Sequence, residues 1–234
     1  MLRDRNLMEL HVEALFAHDD HGRLLHVNDP NAADAPRFFL GQTAGGSVMR
    51  FRRGTTTDLE RDLKAVVAAA AAMQAPPALD SPIDAAPYRV ILDRSAPSGE
   101  IWTGPAFTFP TSLPERVQAF RVTPENSHVL ESHLAPWTPD VMTCQPMIAV
   151  AVDGQAVAVC ASVRRTRKAH EAGVETVVAF RRRGYAAAAA TEWARAVREE
   201  GRVPLYSTSW KNEPSRALAR KLGLLPFGND LHIA

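Results

Sequence analysis

Apolar positions along the chain change their period several times, and each change marks an element. Leu7, Leu10, Ala14 and Ala17 recur at helical spacing and predict an amphipathic helix over residues 5–17. His18-Asp19-Asp20-His21-Gly22-Arg23 reads as a turn before a strand at Leu24–Val27. Phe38–Leu40 and Val48–Phe51 predict further strands, with Gly45-Gly46 as a tight turn between them. Thr57 or Asp58 is placed to cap a helix running to about Met73. The run Ala68–Ala72 favours helix with little side-chain volume and predicts close packing there. Pro76, Pro77, Pro82 and Pro87 break that helix across residues 74–87. Tyr88–Leu92 fits a strand or the end of a short helix equally well. Ile101–Pro110 is extended, aromatic and bounded by proline, so a domain boundary is expected near Pro110–Pro114.

The second half alternates more regularly. Val117–Val122 predicts a strand, and Thr123-Pro124-Glu125-Asn126 opens a helix through Leu134 that Pro136 and Pro139 terminate. Met147–Val152 and Gln155–Val163 read as strands joined by Asp153-Gly154, a strong hairpin signal. Val174–Phe180 predicts another strand through its β-branched valines. A helix follows, with Ala186, Ala189, Ala190, Trp193, Ala194 and Val197 on one face and Gly201 as its stop. A strand at Pro204–Ser209, a helix at Asn212–Leu224 and a strand at Phe227–Ile233 complete the chain. The expected fold class is α/β with a mixed sheet, in two domains over residues 1–110 and 111–234.

Composition narrows the classes. Hydrophobic residues make up 46% and charged residues 23% of the 234 positions, an ordinary globular balance. A net charge of +1 gives no global field that would argue for nucleic acid. The basic run Arg164-Arg165-Thr166-Arg167-Lys168 is local and reads as a solvated loop. The two cysteines, Cys144 and Cys160, are too few for a disulfide scaffold, and Cys160 reads as a small core residue. His11, His18, His21 and His26 fall on no common face, so no metal is expected. The first residues lack the apolar core of a signal peptide and no apolar run spans a bilayer, so a soluble cytoplasmic protein without membrane association is expected.

The chemistry concentrates at Arg181-Arg182-Arg183-Gly184-Tyr185-Ala186, between a predicted strand and a predicted helix. Glycine at the mouth of a helix lets the backbone approach a ligand closely. The unpaired N–H groups there favour an anion, and neighbouring arginines strengthen the preference for phosphate. The spacing Arg181-x-x-Gly184-x-Ala186 matches the (Q/R)-x-x-G-x-(G/A) signature of the GNAT superfamily of acyl-CoA-dependent N-acyltransferases. Asn212, Ser215, Leu218, Lys221, Gly223 and Leu224 resemble that superfamily's N-x-x-(A/S)-x-x-L-x-x-K-x-G-(F/L) helix. The resemblance covers about half the chain, most specifically its last sixty or so residues.

What the resemblance implies is concrete. The C-terminal half would be a GNAT fold with a crevice between the strand ending at Phe180 and the strand Leu205–Ser209. Acetyl-CoA would be the co-substrate, with no metal. Its pantetheine arm would pair with Thr176, Val177 and Val178 like an added strand. Its pyrophosphate would sit on the amides from Arg182 to Ala187, that is Arg182, Arg183, Gly184, Tyr185, Ala186 and Ala187, with Arg181 and Arg182 adding charge. Asn212 would reach the pantetheine, and Ser215 would lie near it.

Catalysis needs a base for the ammonium proton and an acid for the leaving thiolate. Glu175 stands where several members place a carboxylate base; the alternatives are an exposed strand-edge glutamate or a partner for Arg164–Lys168. Glu171 and His170 are weaker candidates of the same kind. Ala219 occupies the position where many members carry a tyrosine acid. Ser209, Ser207 or Tyr206 would have to substitute, or are ordinary strand residues. Cys160 is not expected as an acyl carrier, because the superfamily transfers directly. His128, His133 and Trp137 are candidates by position for the acceptor pocket, with core or surface roles as the alternative. The first half is a degenerate copy of the acyltransferase lobe or a separate lid or sensing domain, and one cofactor site per chain is expected. The reading is an N-acetyltransferase acting on a primary amine of a small molecule, or of a protein or peptide; the alternative is a non-catalytic acyl-CoA sensor. The final strand offers an edge for pairing in a homodimer.

Overall fold

The computed structural model describes residues 3–73, 79–115 and 118–234. In chain order its first elements are α1 (Asp4–Leu15), β1 (Phe16–His18), β2 (Leu24–Val27), β3 (Phe38–Thr43), β4 (Gly46–Phe51), α2 (Thr57–Met73), α3 (Ala86–Leu92) and β5 (Ile101–Thr108). The remainder are β6 (Phe120–Arg121), β7 (Met147–Val152), β8 (Gln155–Arg165), β9 (Ala169–Thr176), α4 (Tyr185–Glu199), β10 (Val203–Ser207), α5 (Glu213–Lys221) and β11 (Leu225–Ile233). These elements form two units. Met1–Phe107, Ser207–Glu213 and Pro226–Ala234 make the first; Thr108–Tyr206 and Pro214–Leu225 make the second. Two short C-terminal segments, Ser207–Glu213 and Pro226–Ala234, thus belong with the first unit.

In the first unit, α1 buries Leu7, Met8, His11, Val12, Ala14 and Leu15; of the expected stripe Leu7 and Ala14 are buried, Leu10 is half-buried, and Ala17 lies beyond the helix in β1. The turn after β1 is tied by Asp19, whose Oδ1 accepts the N–H groups of His21 and Arg23, each at 2.9 Å. β3 and β4 form an antiparallel hairpin from Phe38↔Phe51 to Thr43↔Gly46. The cap of α2 is Thr56, one residue before the expected position, and its Oγ1 accepts from the Leu59 N–H at 3.4 Å. Only Glu60, Leu63 and Val67 of α2 are buried. Ala68–Ala72 is mostly exposed, so the run serves helix propensity and not the close packing expected. Tyr88–Leu92 is helical within α3, with Tyr88, Ile91 and Leu92 buried. Residues 74–78 of the proline-rich break lie outside the described residues. The sheet order is β4-β3-β11-β5, and Phe38, Leu40, Leu63, Leu92, Leu231 and Ile233 share one core.

The second unit has the order β10-β9-β8-β7-β6. β9 and β10 are parallel and the other pairs antiparallel, so the sheet is mixed. Its first strand is only Phe120–Arg121; Val117 of the expected longer strand lies outside the described residues. The helix expected from Thr123 to Leu134 is replaced by two 3₁₀ turns, Pro124–Leu130 and Ala135–Asp140. Thr123 and Asn126 still form a capping box, but Pro136 and Pro139 withhold donors that a continuing helix needs. Asp153 and Gly154 turn the β7–β8 hairpin at φ 50° and 79°. Arg164 and Arg165 belong to β8, so the basic run is half strand and only then a turn closed by Thr166.

α4 packs on β7, β8 and β9, with Trp193 fully buried. The indole Nε1–H of Trp193 donates to Ser162 Oγ at 3.0 Å, and Ser162 Oγ lies 2.9 Å from His170 Nδ1. Burial first, and the charge of Arg202 second, push His170 down to about 4, so the ring is a neutral core residue. Cys160 is also fully buried, and burial raises its thiol well above the ordinary range. Among the described residues, no helix is long and apolar enough to cross a membrane.

Candidate functional site

The second unit opens where β9 and β10 stop pairing. Their parallel register holds only Val203↔Ala169, Pro204↔His170 and Leu205↔Glu171, while β9 runs on to Thr176. An open backbone edge beside a diverging strand is where an extended ligand can add hydrogen bonds. The strand does not continue to Phe180, as the valines suggested. The Val177 N–H donates to the Val157 carbonyl at 3.0 Å, and Val178–Phe180 then forms a single 3₁₀ turn. Thr176 Oγ1 is buried with no hydrogen-bond partner, and the Thr176 carbonyl accepts from Arg181 Nε at 3.2 Å. The Val178 side chain is 73% exposed at this edge.

That turn delivers the chain to a helix mouth. Arg182 has φ 64° and Gly184 φ 92°, both in the left-handed region, and Gly184 is the N-cap of α4. The first helical bond runs from the Ala188 N–H to the Gly184 carbonyl at 3.0 Å. Tyr185, Ala186 and Ala187 therefore present the N–H groups that a helix cannot satisfy itself. No side chain caps them. A Cβ on Gly184 would lie 3.7 Å from Lys221 Nζ, which places an ammonium group over the same loop. Among the described residues Lys221 makes no ion pair. The arginines divide their tasks: Arg181 ties to the Thr176 carbonyl, Arg183 lies over the Phe180 ring at 5.3 Å, and Arg182 takes the left-handed backbone position. All three are exposed. The role of Lys221 went unread in sequence, although it stands in the motif that runs from Asn212 to Leu224.

Glu175 sits near the end of β9 and is exposed, not half-buried as expected. Its Oε2 accepts the indole N–H of Trp137 at 2.6 Å. It does not pair with Arg164–Lys168. Ser215 is half-buried, and its Oγ lies 2.6 Å from the Tyr206 hydroxyl. Burial pushes the Tyr206 phenol up to about 12, which makes it a reluctant proton donor. Ala219 is buried on α5 at 1% exposure. Glu171 and His170 are buried within β9 and point to no open surface. Ser209 and Asn212 fall in the segment assigned to the first unit. Ser209 Oγ accepts the Lys211 N–H at 3.2 Å, and the Asn212 N–H donates to the Ser209 carbonyl at 2.9 Å. The second unit thus gathers Glu175, Thr176–Val178, Arg181–Ala187, Ser215 and Lys221. Among the described residues no group of three or more His, Cys, Asp or Glu is placed to hold a metal.

Residues 148–226 match the family model described as GNAT acetyltransferase. No curated protein matches the chain. A GCN5-related N-acetyltransferase from Kribbella flavida superposes with a TM-score of 0.50 at 18% identity, over 99% of this chain and 95% of that one. It shows the fold. A GCN5-related N-acetyltransferase from Sphaerobacter thermophilus gives 0.47 at 18% identity, over 88% of this chain and 78% of its own. A GNAT-family protein of Novosphingobium aromaticivorans gives 0.49 at 18% identity; the match spans 58% of this chain and 65% of that one.

Proposed function

We propose that this chain, whose residues 148–226 match the GNAT acetyltransferase family model, transfers the acetyl group of acetyl-CoA to a primary amine by direct attack in a ternary complex. Family and fold support acyl transfer in general. The single observation that carries the finer reading is the helix mouth at Gly184. It offers N–H groups without helical acceptors, a backbone with no Cβ in the way, and the Lys221 ammonium over the loop. Such a cradle suits a diphosphate better than a carboxylate, because several donors converge on one anionic group.

From the cradle, the ligand's extended arm would run along the β9 edge from Val178 toward Glu175. Thr176, Val177 and Val178 supply backbone groups there, and the orphaned Thr176 Oγ1 is a further polar partner. The acceptor amine, once deprotonated, attacks the thioester carbonyl carbon. A C–N bond forms, the C–S bond breaks, and the sulfur departs with the electron pair. Glu175 takes the ammonium proton through its free oxygen, Oε1, before attack, and the second proton, shed by the nitrogen as the amide forms, goes to the departing sulfur. The leaving sulfur needs little assistance, since a free thiol has a pKa of about 8.5 and its thiolate survives near neutrality. That accounts for chemistry without a tyrosine at position 219.

Release of free thiol from acetyl-CoA, followed with spermidine, lysine, ethanolamine and a tripeptide as acceptors, tests the reading. Amine-dependent release is expected. Ala219 favours a second reading, an acyl-CoA-binding protein without turnover; binding with no thiol release above the buffer rate would select it.

A further inference from the structure

We infer that Trp137 is the positioning residue of Glu175, holding its carboxylate at the end of β9 while leaving one oxygen free for the acceptor amine; this rests on the acetyltransferase reading above. Among the described residues, the Glu175 side chain has one hydrogen-bond partner, the Trp137 indole, and no ion pair. The choice of donor matters. An arginine on Glu175 would neutralise it and occupy both oxygens. The indole carries no charge and has a single N–H, so it fixes the side chain through Oε2 and leaves Oε1 open.

The ring is itself held in place. Gly173 and Glu175 are two apart on β9 and so project to the same face of the strand. A Cβ on Gly173 would approach Trp137 Cη2 to 3.3 Å and would collide with the Val163 side chain. The glycine therefore gives the indole room to lie along the strand with its N–H directed at Glu175. Trp137 is also anchored from behind. Its backbone N–H donates to the Leu134 carbonyl at 2.9 Å, and Trp137 packs against the core cluster that includes Leu130, Leu134 and Met147. Pro136 and Pro139 stiffen the turn that presents it. A surface carboxylate on a strand end normally samples several rotamers; this one is restricted by a neighbour that is restricted in turn. Restricting a base to one geometry is what lowers the cost of reaching the reactive arrangement.

The test is a double-mutant cycle on amine-dependent thiol release, with Trp137→Phe, Glu175→Gln and both together. Trp137→Phe keeps the ring and removes the N–H. Loss of one charge-assisted hydrogen bond predicts a kcat lower by about tenfold, with the KM for acetyl-CoA unchanged. Glu175→Gln should lose more, and adding Trp137→Phe to it should cost nothing further. Losses that multiply overturn the inference, as does a Trp137→Phe enzyme with wild-type kcat. Wild-type protein that releases no thiol with any amine in the panel instead sinks the acetyltransferase reading, and the inference with it. The bond is also checked without activity: the Trp137 indole N–H resonance should move upfield in Glu175→Gln, and a resonance that stays in place overturns the contact. That measurement stands even where Trp137→Phe does not fold.

Discussion

Lys221 is the residue whose removal most cleanly separates charge from shape. Its ammonium reaches the Gly184 loop from the end of α5, so Lys221→Gln leaves the backbone cradle intact. Titration calorimetry should show acetyl-CoA binding weaker by about tenfold at low salt, and the deficit should shrink as salt rises. Equal affinity for the two proteins would remove Lys221 from the site. His170 gives a second prediction. Its folded pKa of about 4 lies below the unfolded value near 6.5, so the unfolded chain binds more protons between those limits. Stability is fully present above about pH 6.5 and falls as pH drops toward 4, by at most ~3 kcal/mol. The thermal midpoint should decline across that window, and less steeply in His170→Gln; parallel curves would contradict the assignment. At this scale the sequence was an uneven guide. Arg181-x-x-Gly184-x-Ala186 was legible because its glycine is required by a backbone angle. Trp137 was a candidate by position and Lys221 stood in a motif, but the bond to Glu175 and the place over the Gly184 loop were not legible, because each acts across a gap in the chain that no spacing encodes.

Elements read well where one local rule dominated. Asp153-Gly154 specified the β7–β8 hairpin, since a two-residue turn needs positive φ and those residues tolerate it. A Cβ at Gly154 would meet nothing within 4 Å, so Gly154→Ala costs backbone strain alone. We expect a loss of about 1 kcal/mol, visible as a lower urea midpoint with an unchanged slope. A loss of several kcal/mol would mean that the turn has contacts beyond its backbone. β9 was misplaced because its first residues, Ala169-His170-Glu171, are small or polar yet buried. Pattern reading assigns polar residues to the surface, and here His170 is held inside by Ser162. The 3₁₀ turns at Pro124–Leu130 and Ala135–Asp140 failed the same test in reverse. Good start signals were present, but the prolines behind them prevented an α-helix from propagating.

For the whole chain, sequence order is a poor guide to which segments fold together. β11 lies between β3 and β5 in the sheet of the first unit, although it is the last strand of the chain. It pairs with β3 from Asn229↔Gln42 to Ile233↔Phe38 and contributes the buried Phe227, Leu231 and Ile233. A fragment of residues 1–110 lacks that strand, and calorimetry on it should show no cooperative transition. A sharp transition would show that the N-terminal segment folds without β11. Phe227–Ile233 was expected as a strand, but nothing local could say which neighbours it would join, since register and partner are long-range properties.

The central claim is that acetyl-CoA is held at the mouth of α4, and thermal unfolding with and without the ligand, beside Gly184→Trp, tests it most directly. A ligand at about a hundred times its dissociation constant adds ~2.7 kcal/mol. For a chain of this size that is a shift of roughly 5–10 °C. The account predicts that shift in the wild type and its absence in Gly184→Trp, whose side chain would fill the cradle beneath Lys221. An unshifted wild type, or a variant that shifts as fully as the wild type, would contradict it.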